Sequence, residues 1–187
     1  MQYDMKVIHN FSRKAGNGYT LIELLATLAI GTFLLSVAVP SISALNQTDR
    51  QTDVANTFIA TLNTARSEAI NRNARLSVCQ SENGYECGTS GWDKGWLLFT
   101  DSGVPGEVDE DDTVLHFSES LPDDIHLTST NFENYISYFS DGTTNDSGSF
   151  KLCNSSNQSS AKNICVSYAG RPTISAKACR GEEVTCL

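Results

Sequence analysis

The sequence has few of the residues that catalysis and metal binding use most. It contains 3 histidines among 187 residues, no Cys-x-x-Cys spacing and no Gly-x-Ser-x-Gly motif. His116 and His126 lie in different predicted strands, and neither has a second histidine at a metal-binding spacing. These absences exclude zinc-ribbon, thioredoxin and common hydrolase motifs. We therefore predict that the protein is not an enzyme, and the sequence indicates no cofactor and no metal.

Positive charge is also scarce. The chain has 13 Lys and Arg against 22 Asp and Glu, a formal charge of -9. Residues 1–18 carry Lys6, Arg13 and Lys14 against Asp4, so their removal takes the charge from -9 to -11. Nucleic-acid binding depends on Lys and Arg side chains that neutralise phosphates. The excess of negative charge therefore predicts that the protein does not bind nucleic acid.

One carboxylate interrupts an otherwise apolar segment near the N-terminus. Tyr19–Val39 is long enough, at roughly 30 Å as a helix, to cross a hydrocarbon core, and it contains Glu23. An ionisable group inside such a segment is costly, so Glu23 indicates a function. An ordinary membrane anchor and a secretory signal peptide are the alternatives. Neither explains Glu23 or requires Gly18 directly before the apolar segment.

The octapeptide Gly18-Tyr19-Thr20-Leu21-Ile22-Glu23-Leu24-Leu25 resembles the processing site of type IV prepilins and of type II secretion pseudopilins. The resemblance implies that a prepilin peptidase cleaves between Gly18 and Tyr19 and methylates the new amino group of Tyr19. It also implies that Glu23 pairs with an N-terminal amine during filament assembly.

The same resemblance divides the chain into three parts. Residues 1–18 are a leader that is removed, and residues 19–40 are a hydrophobic transmembrane and filament-core helix. Residues 41–187 continue as an amphipathic helix into a globular pilin domain. Pro40 removes a backbone hydrogen bond, which predicts a kink in the helix.

Periodicity predicts an α+β fold, with a long N-terminal helix packed on an antiparallel β-sheet domain. Apolar residues recur at helical spacing up to about Ala74, at Ala55, Phe58, Leu62, Ala65 and Ala69. From Arg75 onward, short segments rich in β-branched and aromatic residues alternate with turn residues. These predicted strands are Leu76–Cys79, Trp96–Thr100, Thr113–Phe117, Ile125–Ser129, Tyr135–Phe139, Phe150–Cys153, Ile164–Tyr168 and Thr173–Ala176.

The 6 cysteines fit an exported protein in an oxidising compartment. Sequence alone cannot choose among their pairings. Their spacing favours three local disulfides, Cys79–Cys87, Cys153–Cys165 and Cys179–Cys186.

The globular part carries a second resemblance. Four segments together resemble minor pilins and H-type pseudopilins, the GspH/FimT-like family: 64–73, Leu76-Ser77-Val78-Cys79, the hairpin Gly91–Asp101 and Gly170-Arg171. Trp92 and Trp96 flank a tight turn in that hairpin, and we expect them to anchor the sheet to the helix rather than to bind a ligand.

Some members of this family bind DNA during natural transformation through a Gly-Arg-x-Arg loop. This chain reads Gly170-Arg171-Pro172-Thr173 and lacks the second arginine. Arg171, Lys177 and Arg180 are weak candidates for DNA contacts, and the overall charge opposes such binding. The favoured interpretation of Arg171 is a loop arginine that hydrogen-bonds a carbonyl group or a carboxylate.

The expected function is that of a minor pilin, which helps prime assembly of a type IV pilus and is incorporated into it. Its expected partners are the prepilin peptidase, other minor pilins and the major pilin. Before assembly it is expected in the inner membrane as a single-pass protein, with a periplasmic globular domain. Three alternatives are an H-type pseudopilin of type II secretion, a DNA-binding uptake pilin and a simple membrane-anchored domain.

Overall fold

The computed structural model describes residues 18–155, 157–175, 179 and 186, and its description of side chains leaves out 37–48 and 157–160. The chain divides into two compact units, Met1–Ser43 and Ala44–Leu187. A single helix, α1 (Leu21–Arg72), begins in the first unit and ends in the second.

In the first unit, the large apolar side chains described between Tyr19 and Leu35 are exposed. Among the described residues, no helix combines the length and apolar character that a membrane crossing requires. The single-pass anchoring expected from the sequence is therefore not confirmed. Pro40 lies within α1, but its side chain is outside the described set, and the kink stays a prediction.

The second unit contains two antiparallel sheets of four strands each. The first sheet has the order β3-β2-β1-β5, and the second has the order β4-β6-β7-β8. The strands are β1 (Leu76–Gln80), β2 (Trp96–Thr100), β3 (Val114–Ser118), β4 (Ile125–Thr130), β5 (Tyr135–Tyr138), β6 (Gly148–Asn154), β7 (Asn157–Val166) and β8 (Pro172–Ser175). The predicted α+β class, a helix with antiparallel sheet, is confirmed.

The apolar face of α1 is part of the hydrophobic core. Its five periodic residues are fully buried: Ala55, Phe58, Leu62, Ala65 and Ala69. The ring of Phe58 makes edge-to-face contacts with Trp96 of β2 at 5.0 Å and with Phe150 of β6 at 4.7 Å between centroids. Because β2 and β6 belong to different sheets, one helical side chain joins both sheets to the helix.

The two tryptophans have the packing role expected of them. Trp92 and Trp96 are almost fully buried. Trp92 Nε1 donates to the carbonyl oxygen of Phe132 at 3.0 Å, and Trp96 Nε1 donates to Thr61 Oγ1 at 3.2 Å. Each indole N–H is therefore satisfied inside the core, as a buried tryptophan requires.

The disulfides differ from the local pairing that spacing favours. The structure contains Cys79–Cys87, as expected, but it also contains Cys153–Cys186 and Cys165–Cys179. The predicted pairs Cys153–Cys165 and Cys179–Cys186 are therefore wrong. Both cysteine pairs of the second sheet instead connect its central strands, β6 and β7, to residues beyond β8.

Candidate functional sites

The first candidate site is the exposed apolar surface at the start of α1. Ten large apolar residues there are more than half exposed: Tyr19, Leu21, Ile22, Leu24, Leu25, Leu28, Ile30, Phe33, Leu34 and Leu35. Contiguous apolar surface of this kind marks an interaction site with protein or lipid. Glu23 is exposed on the first turn of the same helix, four residues after Tyr19.

Glu23 also has a local structural role that the sequence interpretation missed. Thr20 caps α1: the backbone N–H of Glu23 donates to Thr20 Oγ1 at 3.3 Å, and Leu24 N–H donates to the Thr20 carbonyl oxygen at 3.2 Å. Thr20-x-x-Glu23 has the spacing of a capping box, and a carboxylate in the first helical turn interacts favourably with the helix dipole. The signal was present in the sequence. It means that Glu23 contributes to the start of the helix as well as to any assembly contact.

The second candidate site is the Gly170-Arg171 loop between β7 and β8. Gly170 is buried and has a φ of 71°, a left-handed conformation that favours glycine. A Cβ atom at Gly170 would lie 2.1 Å from the carbonyl oxygen of Gly142. That oxygen accepts a hydrogen bond from Arg66 Nε at 3.0 Å. The loop is therefore packed closely against the turn at Gly142, which is hydrogen-bonded to Arg66 of α1.

Within the described part of the chain, Arg171 shows none of the contacts expected of a structural loop arginine. Its side chain is exposed, and it makes no hydrogen bond or ion pair with any of the residues that the structure describes. The expected bond to a carbonyl group or carboxylate is thus not seen among the described residues, where Arg66 makes the carbonyl bond in this region. Lys177 and Arg180 lie outside the described residues.

Arg171 lines an open groove of about 690 Å³ on the second sheet. The groove is formed where the end of β4, the start of β6, the end of β7 and the start of β8 come together. Its other polar lining residues are Thr130, Asn131, Ser147, Ser149, Ser167 and Thr173. Sequence reasoning did not find this groove, because its residues come from five separate segments, the fifth being Cys179.

A buried ion pair supports the loop after β2. Asp101 is buried, and its Oδ1 accepts a hydrogen bond from Arg75 Nη2 at 2.7 Å. Its Oδ2 accepts from Ser77 Oγ and from the backbone N–H of Gly106, the latter at 2.9 Å. These bonds satisfy both carboxylate oxygens, as a buried charge requires. Asp101 is the last residue of the hairpin motif Gly91–Asp101, but nothing in that motif indicated that Asp101 would form a buried ion pair with Arg75.

The acidic loop that follows is ordered by its own carboxylates. Asp112 Oδ1 accepts hydrogen bonds from the backbone N–H and the hydroxyl of Ser102, both at 2.8 Å. Its Oδ2 accepts from Asp109 N–H at 3.0 Å. Partial burial acts to raise the pKa of Asp112, but these hydrogen bonds and the charge of Arg75 outweigh it and lower the pKa below 3.8. Among the described residues, no His, Cys, Asp and Glu side chains cluster in a way that could hold a metal ion.

Fold and sites together define a pilin-like subunit. It has an exposed apolar segment at the start of α1 and an α+β globular unit, Ala44–Leu187, which we call the head. A family model described as type II transport protein GspH matches residues 54–170, and a prokaryotic N-terminal methylation motif matches residues 13–39. The first match covers more than half of the sequence, and the chain belongs to the GspH family. It is a type IV minor pilin or GspH-like pseudopilin, and family and fold are those of structural pilins.

Solved structures show the same fold. The type IV minor pilin FimU of Pseudomonas aeruginosa strain PAO1, in one crystal form, superposes with a TM-score of 0.54 at 18% identity, covering 70% of this chain and 98% of FimU. A second crystal form gives 0.57 at 17% identity, covering 71% and 95%. No functionally curated protein matches the sequence.

Proposed function

We propose that this protein is a minor pilin that helps prime assembly of a type IV pilus and is incorporated into it. The observation that carries the proposal is the exposed apolar start of α1 with Glu23 on its first turn. In the filament, the apolar helices bundle and remove this surface from water. Glu23 then pairs with the N-terminal amine of a neighbouring subunit.

The energetics make Glu23 selective for correct assembly. A carboxylate left unpaired inside an apolar bundle costs several kcal/mol, about 3–5 kcal/mol when one partner of a buried pair is removed. The N-terminal amine of a correctly placed neighbouring subunit lies beside Glu23 and offsets that cost. In a misplaced subunit, Glu23 has no amine beside it and the cost remains. Assembly of this kind is recognition without catalysis, and it needs no cofactor.

The proposal includes a series of steps before assembly, which the methylation motif supports. The prepilin peptidase cleaves between Gly18 and Tyr19 and methylates Tyr19. Residues 19–40 then anchor the chain in the inner membrane until it is assembled. Its head lies in the periplasm, where the three disulfides form. Other minor pilins and the major pilin are its partners in the filament. The motif match at residues 13–39 supports this sequence of events.

The test compares Glu23→Leu and Glu23→Gln with Glu110→Gln, which neutralises an exposed carboxylate of the head. Each variant is expressed in the native host, and its amount is measured in membranes and in sheared surface filaments. We expect both Glu23 variants in the membrane fraction but at least about tenfold depleted from filaments, since 1.4 kcal/mol already gives that factor. Normal incorporation of either Glu23 variant would contradict the pairing mechanism.

An H-type pseudopilin of a type II secretion system is a second candidate, because the matching family model is described as a type II transport protein. Deletion of the gene distinguishes the two functions. Loss of surface pili with normal protein secretion supports the minor pilin. Loss of secretion with normal pili supports the pseudopilin.

A DNA-uptake pilin is a third candidate, and the exposed, unpaired guanidinium of Arg171 within the described part of the chain favours it. The net charge of -9 opposes it. Full-length protein in detergent is titrated with duplex DNA at low and moderate salt, with Arg171→Ala beside it. Salt-sensitive binding that the variant loses would support DNA uptake. No binding at low salt would exclude it.

A further inference from the structure

We infer that the groove beside Arg171 binds an acidic saccharide, meaning a sugar with one carboxylate per residue and a neutral hydroxyl body. The groove encloses about 690 Å³, within the range of roughly 300–1,000 Å³ typical of small-molecule sites. This is a binding function separate from filament assembly, and it depends on residues of the head alone.

Unused hydrogen-bond donors meet in the groove. The hydroxyls of Ser147, Ser167 and Thr173 and the guanidinium of Arg171 make no hydrogen bond to any other residue in the described part of the chain. By contrast, Thr130 Oγ1 and Ser149 Oγ on the groove wall bond to each other at 3.0 Å. The guanidinium can only donate, and each hydroxyl can donate or accept, so the set fits a ligand with an anionic acceptor and hydroxyl groups of its own.

The guanidinium specifies the charged part of that ligand. Arginine presents five N–H donors in a planar fork that matches a carboxylate in a bidentate geometry. Hydroxyl side chains around it suit the ring and hydroxyl oxygens of a sugar. One cation among several neutral donors therefore matches one carboxylate on a neutral polar body.

The groove is held in place before any ligand arrives. Gly170 packs against the Gly142 carbonyl oxygen, which Arg66 holds, and this fixes the backbone immediately before Arg171. Thr173 lies opposite Cys165 in the β7–β8 ladder, and the Cys165–Cys179 disulfide lines the groove. A preformed site avoids the ordering cost that would otherwise weaken binding.

Charge separates this ligand from a polyanion such as DNA. The formal charge of the chain is -9, and Asp146 directly precedes the groove residue Ser147. Its Oδ1 accepts hydrogen bonds from Ser147 N–H at 2.7 Å and from Tyr168 Oη–H at 3.2 Å. The negative charge of the protein would repel a chain of closely spaced phosphates, for which Arg171 is the guanidinium contact in the groove. A carboxylate on a neutral sugar meets the same cation with little added repulsion.

The experiment titrates full-length protein in neutral detergent micelles with trigalacturonic acid, with neutral galactotriose of the same linkage, and with short duplex DNA. Binding is measured by isothermal titration calorimetry. Arg171→Gln removes the charge, Thr173→Val removes one groove hydroxyl but keeps the β-branched shape, and Arg50→Gln removes an exposed arginine that does not line the groove.

We expect trigalacturonic acid to bind at least about tenfold more tightly than galactotriose. Arg171→Gln is expected to weaken that binding about tenfold or more, as loss of a charge-assisted hydrogen bond does. Thr173→Val is expected to weaken it severalfold, and Arg50→Gln to leave it unchanged.

Three results would overturn the inference: no binding of trigalacturonic acid at millimolar concentration, equal binding of the neutral sugar, or no effect of Arg171→Gln. Binding of DNA with a steep salt dependence and without sugar binding would also overturn it, and would assign Arg171 to DNA. Because no filament is formed in this measurement, its failure leaves the assembly proposal intact, and failure of the Glu23 test leaves this inference intact.

Discussion

Arg66 Nε and the carbonyl oxygen of Gly142 form a 3.0 Å hydrogen bond that joins the last third of α1 to the turn after β5. Gly170, in the loop after β7, packs on the same oxygen. Since β5 and β7 belong to different sheets, this contact connects the helix and both sheets at one point. The Gly170-Arg171 motif therefore has a structural half, Gly170, and an exposed half, Arg171.

Replacement of Gly170 by alanine is expected to destabilise the head by about 2 kcal/mol or more. The left-handed φ costs a residue with a Cβ atom about 1 kcal/mol, and the clash with Gly142 adds to it. Chemical unfolding followed by circular dichroism measures the change. Gly88→Ala is the control, because a Cβ there meets no atom closer than 3.8 Å. Equal effects of the two substitutions would contradict the packing described here.

Truncation of Phe58 to alanine is expected to cost about 3–5 kcal/mol, the range for large aromatic residues in cores. The ring contacts Trp92, Trp96 and Phe150, so its loss leaves a cavity among these three rings. Asn56→Ala, an exposed position on the same helix, is expected to change the free energy of unfolding by less than about 0.5 kcal/mol. A loss below about 1 kcal/mol for Phe58→Ala would show that the ring is not central to the core.

The disulfide connectivity is directly testable by a tryptic digest without reduction. Cleavage after Lys151, Lys162, Lys177 and Arg180 places Cys153, Cys165, Cys179 and Cys186 on four different peptides. Mass spectrometry is expected to find the peptide of Cys153 linked to that of Cys186, and the peptide of Cys165 linked to that of Cys179. A Cys153–Cys165 link would contradict the register of the second sheet.

Asp112 is expected to contribute stability that depends on pH. Its pKa is lowered below 3.8 in the folded chain, so folding favours the ionised form. The contribution is therefore complete above the unfolded pKa and is lost as the pH falls through the folded pKa. Asp112→Asn is expected to be less stable than the parent at pH 7 and to match it at strongly acidic pH. Asp111→Asn, at an exposed neighbour, is expected to show no such convergence.

The helix and most strands were predictable because their signals are local. The positions that recur at helical spacing, from Ala55 to Ala69, are the ones that the core buries. Strand β2 has the predicted bounds, and most other strands differ from prediction by one or two residues at an end. Strand β7 begins earlier, at Asn157, in a polar segment that has no local strand signal.

The disulfides and the groove could not be predicted because they depend on strand register. Cys165 lies opposite Ser149, and the path from Ser149 to Cys153 along β6 is about 13 Å at roughly 3.3 Å per residue. A disulfide requires Cα atoms within about 7 Å, so these two cysteines cannot pair although they lie on neighbouring strands. Arg171 and Asn131 likewise meet in one groove only after the second sheet has formed.

The central claim is that this chain is a processed subunit of a pilus filament. Intact-mass spectrometry of the protein recovered from sheared, purified surface filaments of the native host tests it most directly. The account expects a chain that begins at Tyr19, carries one methyl group on its terminal amine and retains three disulfides. Absence of the protein from filaments, or a chain that keeps residues 1–18, would contradict it.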